Sequence, residues 1–123
     1  MRKMRTVRAD DEPRRDNAHG VDVRKLYDTE HAQVMHITLR PGESLKKHIT
    51  PVDVFFYVLE GEGQVEIGEE VRTVSKDTLI DSPARIPHRL TNNGTKDFRF
   101  LVVKVPRPSE KAKMAEDVAG KKN

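Results

Sequence analysis

The 123-residue sequence contains no cysteine, and this absence excludes several kinds of chemistry. Without thiols the chain forms no disulfide, offers no thiolate to a metal and has no cysteine nucleophile. No apolar run approaches the roughly 18 to 20 residues that a membrane-spanning helix requires. Residues 1–8 are basic but lack the apolar stretch of a signal peptide. We therefore expect a cytoplasmic protein with no membrane partner.

Hydrophobic residues are also scarce, at 35% of the chain, and they are unevenly distributed. Nearly all large apolar side chains lie between residues 34 and 105, whereas the two ends are mostly polar. This distribution predicts one domain, with a polar basic arm at 1–20, a folded unit at 21–106 and a polar tail at 107–123. We expect both ends to be flexible. Within the tail, residues 109–119 have the pattern of a short and marginal helix.

The net charge of +3 comes mainly from basic residues in the two ends. A basic arm can hold nucleic acid through its phosphates. Here acidic residues are interspersed with the basic ones, and no aromatic residues alternate with them. Solvated ends are therefore the favoured interpretation, and nucleic acid is not an expected partner.

Short segments rich in β-branched and aromatic residues, separated by Gly and Pro, dominate the central part of the chain. Such spacing is typical of an all-β sandwich or barrel. Residues 54–59 contain no charged residue, which predicts a strand covered on both faces. The segment 65–74 alternates apolar and polar residues around Gly68 and predicts a hairpin. The other predicted strands are residues 21–27, 34–40, 78–80 and 98–105.

Two groups of residues in this region have a distinctive spacing. In the first group, Gly42 is followed after five residues by His48, and Gly61 closes the strand 54–59. The second group follows about thirty residues later and consists of Pro83, Pro87, His88 and Asn92. Because residues two apart in a strand share a face, His48 and Thr50 can point into one interior, where His88 on a neighbouring strand can meet them.

Together these groups resemble the two signature motifs of the cupin superfamily, over roughly residues 34–105. The resemblance implies an all-β double-stranded β-helix, also called a jelly-roll barrel. It also implies a site in which three histidines and a glutamate hold a transition metal. The chain departs from this pattern, because Thr50 occupies the place of one histidine and Val54 that of the glutamate. Lys76 also replaces the glycine that opens the second motif.

The inward face of the predicted barrel is largely apolar, which is the usual composition of a small-molecule pocket. Val54 and Phe56 continue this face along the buried strand, and Leu90 faces them from beside His88. With Thr50, these residues are the candidate ligand-binding set.

The retained histidines leave the metal question open. His48 and His88 can form a weakened site for Zn, Mn, Fe, Ni or Cu, completed by Asp53, Thr50 or water. Asp53 precedes the vacant glutamate position by one residue. In a regular strand it would face away from the side used by Val54, but Pro51 indicates a turn or strand start here, where strand parity need not hold. Alternatively, the histidines hydrogen-bond a ligand or each other without metal, or are simply buried in a structural barrel.

The remaining histidines are weaker candidates for a functional role. His36 alternates with apolar neighbours, so it is expected on the outer face of its strand or in a subunit interface. His19 and His31 lie in polar surroundings and are expected to be exposed to solvent.

Three functions fit these observations. The first is a small metalloenzyme, for which no strong general base remains in the pocket. The second is a metal-free barrel that binds or senses a small molecule, and the third is an interaction module that uses the basic arm. A homodimer is expected as well, because cupins of one domain are commonly dimeric and a small core gains from burying apolar surface between subunits.

Overall fold

Two five-stranded antiparallel sheets pack against each other in a computed structural model of the chain, which describes residues 3–109 and 113–114. A short 3-10 helix, Ala9–Asp11, precedes the strands. The strands are β1 Asp22–Asp28, β2 Gln33–Leu39, β3 His48–Ile49, β4 Val54–Glu60, β5 Glu62–Ile67, β6 Glu70–Ser75, β7 Leu79–Ser82, β8 His88–Thr91, β9 Phe98–Lys104 and β10 Lys113–Met114.

The strand order shows the double-stranded β-helix that the motifs predicted. Sheet I has the order β1-β2-β9-β4-β7, and sheet II has the order β10-β3-β8-β5-β6. From β3 to β10 the chain passes repeatedly from one sheet to the other, except at the β5–β6 hairpin, which lies within sheet II, so the core is shared between the sheets. The part of the chain that the structure describes has no helix long and apolar enough to cross a membrane.

Alternation along the central strands separates the core from the outer face of sheet I. In β4, Val54, Phe56 and Val58 are at most 2% exposed, whereas the residues between them are half-buried. Strand β9 repeats this pattern with Phe98, Phe100 and Val102. The prediction of a strand covered on both faces therefore applies fully to the inner face and partly to the outer one.

The closing glycine of the first motif has a local structural reason. Gly61 has a φ of 84°, in the left-handed region, and a Cβ there would collide with the backbone carbonyl of Asp97. Only glycine tolerates both conditions, so β4 can turn directly into β5 at this point.

The N-terminal arm is hydrogen-bonded to the edge of sheet I, although most of its side chains are exposed. The Arg24 guanidinium on β1 donates to the backbone carbonyls of Ala9, Asp10 and Glu12. The backbone N–H of Arg15 donates to the carbonyl of Val23 at 2.9 Å. These contacts bring residues 9–20 back over the barrel.

In the tail, Lys113–Met114 pair with β3, Lys113 opposite Ile49 and Met114 opposite His48. These two residues form a strand and not part of the helix predicted for 109–119. The other residues of that segment after 109 lie outside the described part of the chain.

Candidate functional site

The two motif histidines meet inside the barrel. Strands β3 and β8 pair with His48 directly opposite His88, so both side chains enter the interior from sheet II. His48 is 8% exposed and His88 is 1% exposed. Their Nε2 atoms are 3.0 Å apart, which is hydrogen-bonding distance. The prediction that strand parity brings these histidines together is confirmed.

Hydrogen-bond partners fix the tautomers of this pair. His48 Nδ1 lies 2.9 Å from the carbonyl oxygen of Lys46, which can only accept, so Nδ1 carries the proton and Nε2 is an acceptor. His88 therefore donates from Nε2 and accepts at Nδ1 from the Ser82 hydroxyl, 2.8 Å away. The result is a chain of three hydrogen bonds, from Ser82 through His88 and His48 to the Lys46 carbonyl, with both imidazoles neutral.

The electrostatic surroundings favour the neutral state. Burial, and next the charge of His48, lower the pKa of His88 from 6.5 to about 3. Burial also lowers the pKa of His48, partly offset by the hydrogen bond to the Lys46 carbonyl. Since both imidazoles are uncharged near neutral pH, they act there as hydrogen-bonding groups and not as cations.

A third histidine joins the site from the N-terminal arm. The ring of His19 lies with its centroid 4.9 Å from that of His48, and its Nδ1 accepts the backbone N–H of Lys46 at 2.7 Å. Burial, followed by the charge of His48, lowers the pKa of His19 to about 4. The expectation that His19 is solvent-exposed is thus wrong. The sequence signal for its position was the turn Asn17–Gly20, in which Asn17 Oδ1 accepts the N–H of His19.

A lysine that the sequence analysis did not select also faces this interior. Lys104 ends β9 two residues after the buried Val102, and it lies opposite the inward residue Val54 of β4. Its charge contributes to lowering the pKa of the histidines at 19, 48 and 88. Burial in turn lowers the pKa of Lys104 itself. The alternation from Phe98 onwards would have been sufficient to place it.

The predicted ligand-binding residues form a packed wall around the histidine pair. Thr50, Val54, Phe56 and Leu90 are 0–2% exposed, so they face neither solvent nor a water-sized void. Phe56 packs edge-on against His88, with ring centroids 5.3 Å apart. The Oγ1 atom of Thr50 is buried without a hydrogen-bond partner within the described residues. These four side chains therefore shape the back of the site.

A cavity of about 690 Å³ opens elsewhere, between the edge strands β6 and β7. It contains none of the four predicted ligand-binding residues. Its inner wall reaches Ile67, which pairs with His88 across β5 and β8. Its other apolar lining residues include Val65, Val74, Leu79, Ile80 and Ile86.

The proposed third metal ligand is not brought to the pair. Asp53 is exposed, and its Oδ1 accepts the backbone N–H of Ala84 at 2.8 Å. It therefore links the turn between β3 and β4 to the turn between β7 and β8 and faces away from the pair, as its strand parity had indicated. Across residues 3–109, no three side chains from His, Asp and Glu are grouped so as to hold a metal ion.

The donor set does not fit a tightly held divalent metal. His19 cannot supply a neutral ligand atom at Nε2 while its Nδ1 accepts a backbone N–H, because that tautomer keeps a proton on Nε2. No carboxylate joins the pair, and Lys104 adds positive charge nearby. At most, two imidazole nitrogens remain available to an ion.

The remaining histidines lie outside the site. His36 is buried on the outer face of sheet I, as expected, where its Nε2 accepts hydrogen bonds from Arg99 at 3.1 and 3.3 Å. His31 is exposed, as predicted, next to Glu30.

Comparison with known families agrees with the fold and the motifs. The model of the Cupin_2 family, described as the cupin domain, matches residues 35–104. The matched segment begins in β2 and ends with β9, and it includes His48, His88 and Lys104.

Individual relatives extend this agreement. The chain is 30% identical over 89 residues to the uncharacterized protein MJ0764 of Methanocaldococcus jannaschii, covering 72% of this chain and 77% of that protein. It is 37% identical over 68 residues to the tetracenomycin polyketide synthase protein TcmJ of Streptomyces glaucescens, 54% of this chain and 45% of that one. The chain thus spans about half the length of the latter relative.

Among solved structures, the polyketide cyclase RemF from Streptomyces resistomycificus superposes with a TM-score of 0.80 at 21% identity. The superposition covers 92% of this chain and 86% of that chain. At this identity the likeness concerns the fold.

Proposed function

The chain belongs to the cupin domain family, and on that premise we propose that it binds a small molecule at the His48–His88 pair without needing a bound metal. The observation that supports this most directly is the 3.0 Å contact between the two Nε2 atoms. Each imidazole finds its hydrogen-bond partners within the protein, so the pair is stable without an ion.

The same geometry favours binding over acid–base catalysis. A general base works best when its pKa lies near the working pH. The pKa of His88 is about 3, and the lone pair of His48 Nε2 is already engaged by His88. The pair is therefore a weak base, and a ligand would hydrogen-bond to it by displacing one of its present partners, namely Ser82, the Lys46 carbonyl or the other imidazole.

A weak metal site on the two histidines is the second candidate, and one observation favours it. Two nitrogens bound at right angles about 2.1 Å from one ion are roughly 3.0 Å apart, which matches the Nε2 separation. Zn, Mn, Fe, Ni or Cu could occupy such a two-nitrogen site, provided that His88 shifted its proton to Nδ1.

Elemental analysis of the purified protein distinguishes the two candidates, before and after chelation and after loading with each of these metals. We expect no stoichiometric metal and no change in thermal stability with chelator. A histidine-directed ligand screen by NMR should then show compounds that shift the His48 and His88 ring signals. His36→Asn is the matched control, because it removes a buried histidine from the other side of sheet I.

Stoichiometric metal that is lost in both His48→Ala and His88→Ala but retained in His36→Asn would establish the metal site instead. If no ligand in the screen perturbs the pair, the binding function itself is refuted.

We also propose that the protein forms a homodimer through the outer face of sheet I. Phe55, Leu101 and Val103 point to this face and remain only half-buried in one chain. Light scattering at micromolar concentration should give twice the mass of one chain. A Leu101→Lys variant should shift the mass to that of the monomer, whereas a monomeric wild type would contradict the proposal.

A further inference from the structure

We propose that the ligand of the histidine site is a small carboxylate, and that Lys104 is its counter-ion. This inference rests on the proposed function, because it names the class of molecule that the same site takes. It follows from two features of the interior, namely the inward placement of Lys104 and the basic character of the groups around it.

Lys104 is placed inside and has no counter-ion among the residues described. Its inward position follows from its register with Val54, which is 2% exposed. The ion pairs of residues 3–109 leave Lys104 out, whereas Arg99 on the same strand pairs with Glu60 at 2.8 Å. Because a half-buried cation without a counter-ion is partly desolvated and uncompensated, an anion that enters beside it is stabilised.

The charged and titratable groups that shift the pKa of the site histidines are all bases. His19 responds to His48, Lys46 and Lys104, and His88 responds to His48, Lys104 and His19. No carboxylate of the described residues contributes on this side of the barrel. The site therefore combines one ammonium with three imidazoles from three separate segments of the chain, and it repels cations.

The Thr50 hydroxyl offers no contact to such a ligand in this structure. Thr50 is 1% exposed, and its Oγ1, which has no hydrogen-bond partner in residues 3–109, faces no space that a carboxylate could enter. The discriminating property is therefore charge. A carboxylate balances the Lys104 ammonium, whereas an amide of the same shape does not.

Matched pairs of acids and amides test this inference directly. The ¹⁵N-labelled full-length protein is titrated with three such pairs: acetate and acetamide, pyruvate and pyruvamide, and benzoate and benzamide. Binding is followed by the ring signals of His48 and His88. We expect each carboxylate that binds to do so at least tenfold more tightly than its amide.

Variants of two lysines complete the experiment. Lys104→Met, with Lys104→Gln as a second variant should the first fold poorly, is expected to weaken carboxylate binding at least tenfold. Lys47→Met is the control, because Lys47 pairs with Glu66 and should leave the affinity within twofold of wild type.

The outcomes separate this inference from the proposed function. The inference would be overturned if amides bound as tightly as acids, or if the Lys104 variants kept the wild-type affinity for carboxylates. Either result would leave a site for neutral ligands at the histidine pair. If neither class shifts the signals of His48 and His88, while the wider ligand screen finds compounds that do, then the carboxylate class alone is refuted. Failure of the whole screen refutes both.

Discussion

Strand β9 carries two cations that face opposite sides of sheet I, and their surroundings differ. On the outer face, Arg99 donates to the buried His36 and pairs with Glu60 at 2.8 Å. On the inner face, Lys104 lies near the buried His48 and His88 without an ion-pair partner among residues 3–109. Both faces thus combine a cation with a buried histidine, but only the outer one contains its own carboxylate.

The difference distinguishes a structural polar cluster from a candidate binding site. The outer group can stabilise the fold by itself, since the charge of Arg99 is balanced by Glu60. The inner group leaves the charge of Lys104 without a carboxylate among the described residues, and this property marks it as a candidate anion site. Within residues 3–109, each group contains one buried polar atom without a hydrogen-bond partner, Thr50 Oγ1 inside and His36 Nδ1 outside, so charge balance alone separates them. The following predictions test this contrast, beginning with the largest expected effect.

Acidification should destabilise the protein through the inner histidines. The pKa of His88 is about 3 in the fold and 6.5 in its absence, so the neutral form stabilises the fold above pH 6.5 and this stabilisation is lost as the pH falls towards 3. Between pH 6.5 and 4 the loss amounts to about 3 kcal/mol for this one group.

Urea unfolding at several pH values measures this dependence. His88→Asn should flatten the curve between pH 6.5 and 4. His36→Asn should flatten it less, because burial and the charge of Arg99 lower the pKa of His36 while Asp22 and Asp10 raise it, whereas no carboxylate of the described residues raises the pKa of His88. Equal flattening by both variants would contradict the contrast between the two faces.

Removing the outer cation should lower stability. Arg99→Met leaves the buried Nε2 of His36 without its donor, and we expect the free energy of unfolding to fall by about 2 kcal/mol. Chemical denaturation at pH 7 measures the change, with Arg72→Met as an exposed control, since Arg72 is 76% exposed. A neutral result would mean that this cluster does not stabilise the fold.

Removing the inner cation should raise the free energy of unfolding, opposite to the effect expected for Arg99. Lys104→Met replaces a half-buried charge by an apolar side chain of similar length, and we expect unfolding to require about 1 kcal/mol more. The same denaturation experiment measures it in the absence of added carboxylates. If stability fell instead, Lys104 would have a partner within the protein, and the need for an anionic ligand would disappear.

The smallest effect is expected at Asp53. Asp53→Ala removes one exposed hydrogen bond, to the backbone N–H of Ala84, and should cost about 0.5 kcal/mol. Ligand affinity and metal content should not change, because the carboxylate does not reach the histidine pair. A loss of metal in this variant would show that Asp53 is a ligand after all.

Much of the fold and part of the site could be predicted. Alternating apolar residues in 54–59 and 98–105, and the spacing that leads to His48 and His88, were sufficient for the barrel and for the central pair. The turn Asn17–Gly20 is visible in the sequence, but the contact of His19 with His48 is not, because it depends on how the arm folds back over β1 through the contacts of Arg24. The inward position of Lys104 was predictable from the alternation along 98–105. Its lack of a counter-ion was not, because it depends on which carboxylates of other segments reach it.

The sequence by itself determined the double-stranded β-helix and the position of two histidines on inward faces. These follow from local periodicity and from residues such as Gly61, which satisfy a backbone requirement at one point of the chain. Tertiary structure decided that Asp53 belongs to a turn, that His19 joins the site and that the interior is basic. The reason is physical, since charge balance and the pKa values of buried groups depend on distances between segments that are far apart in the sequence.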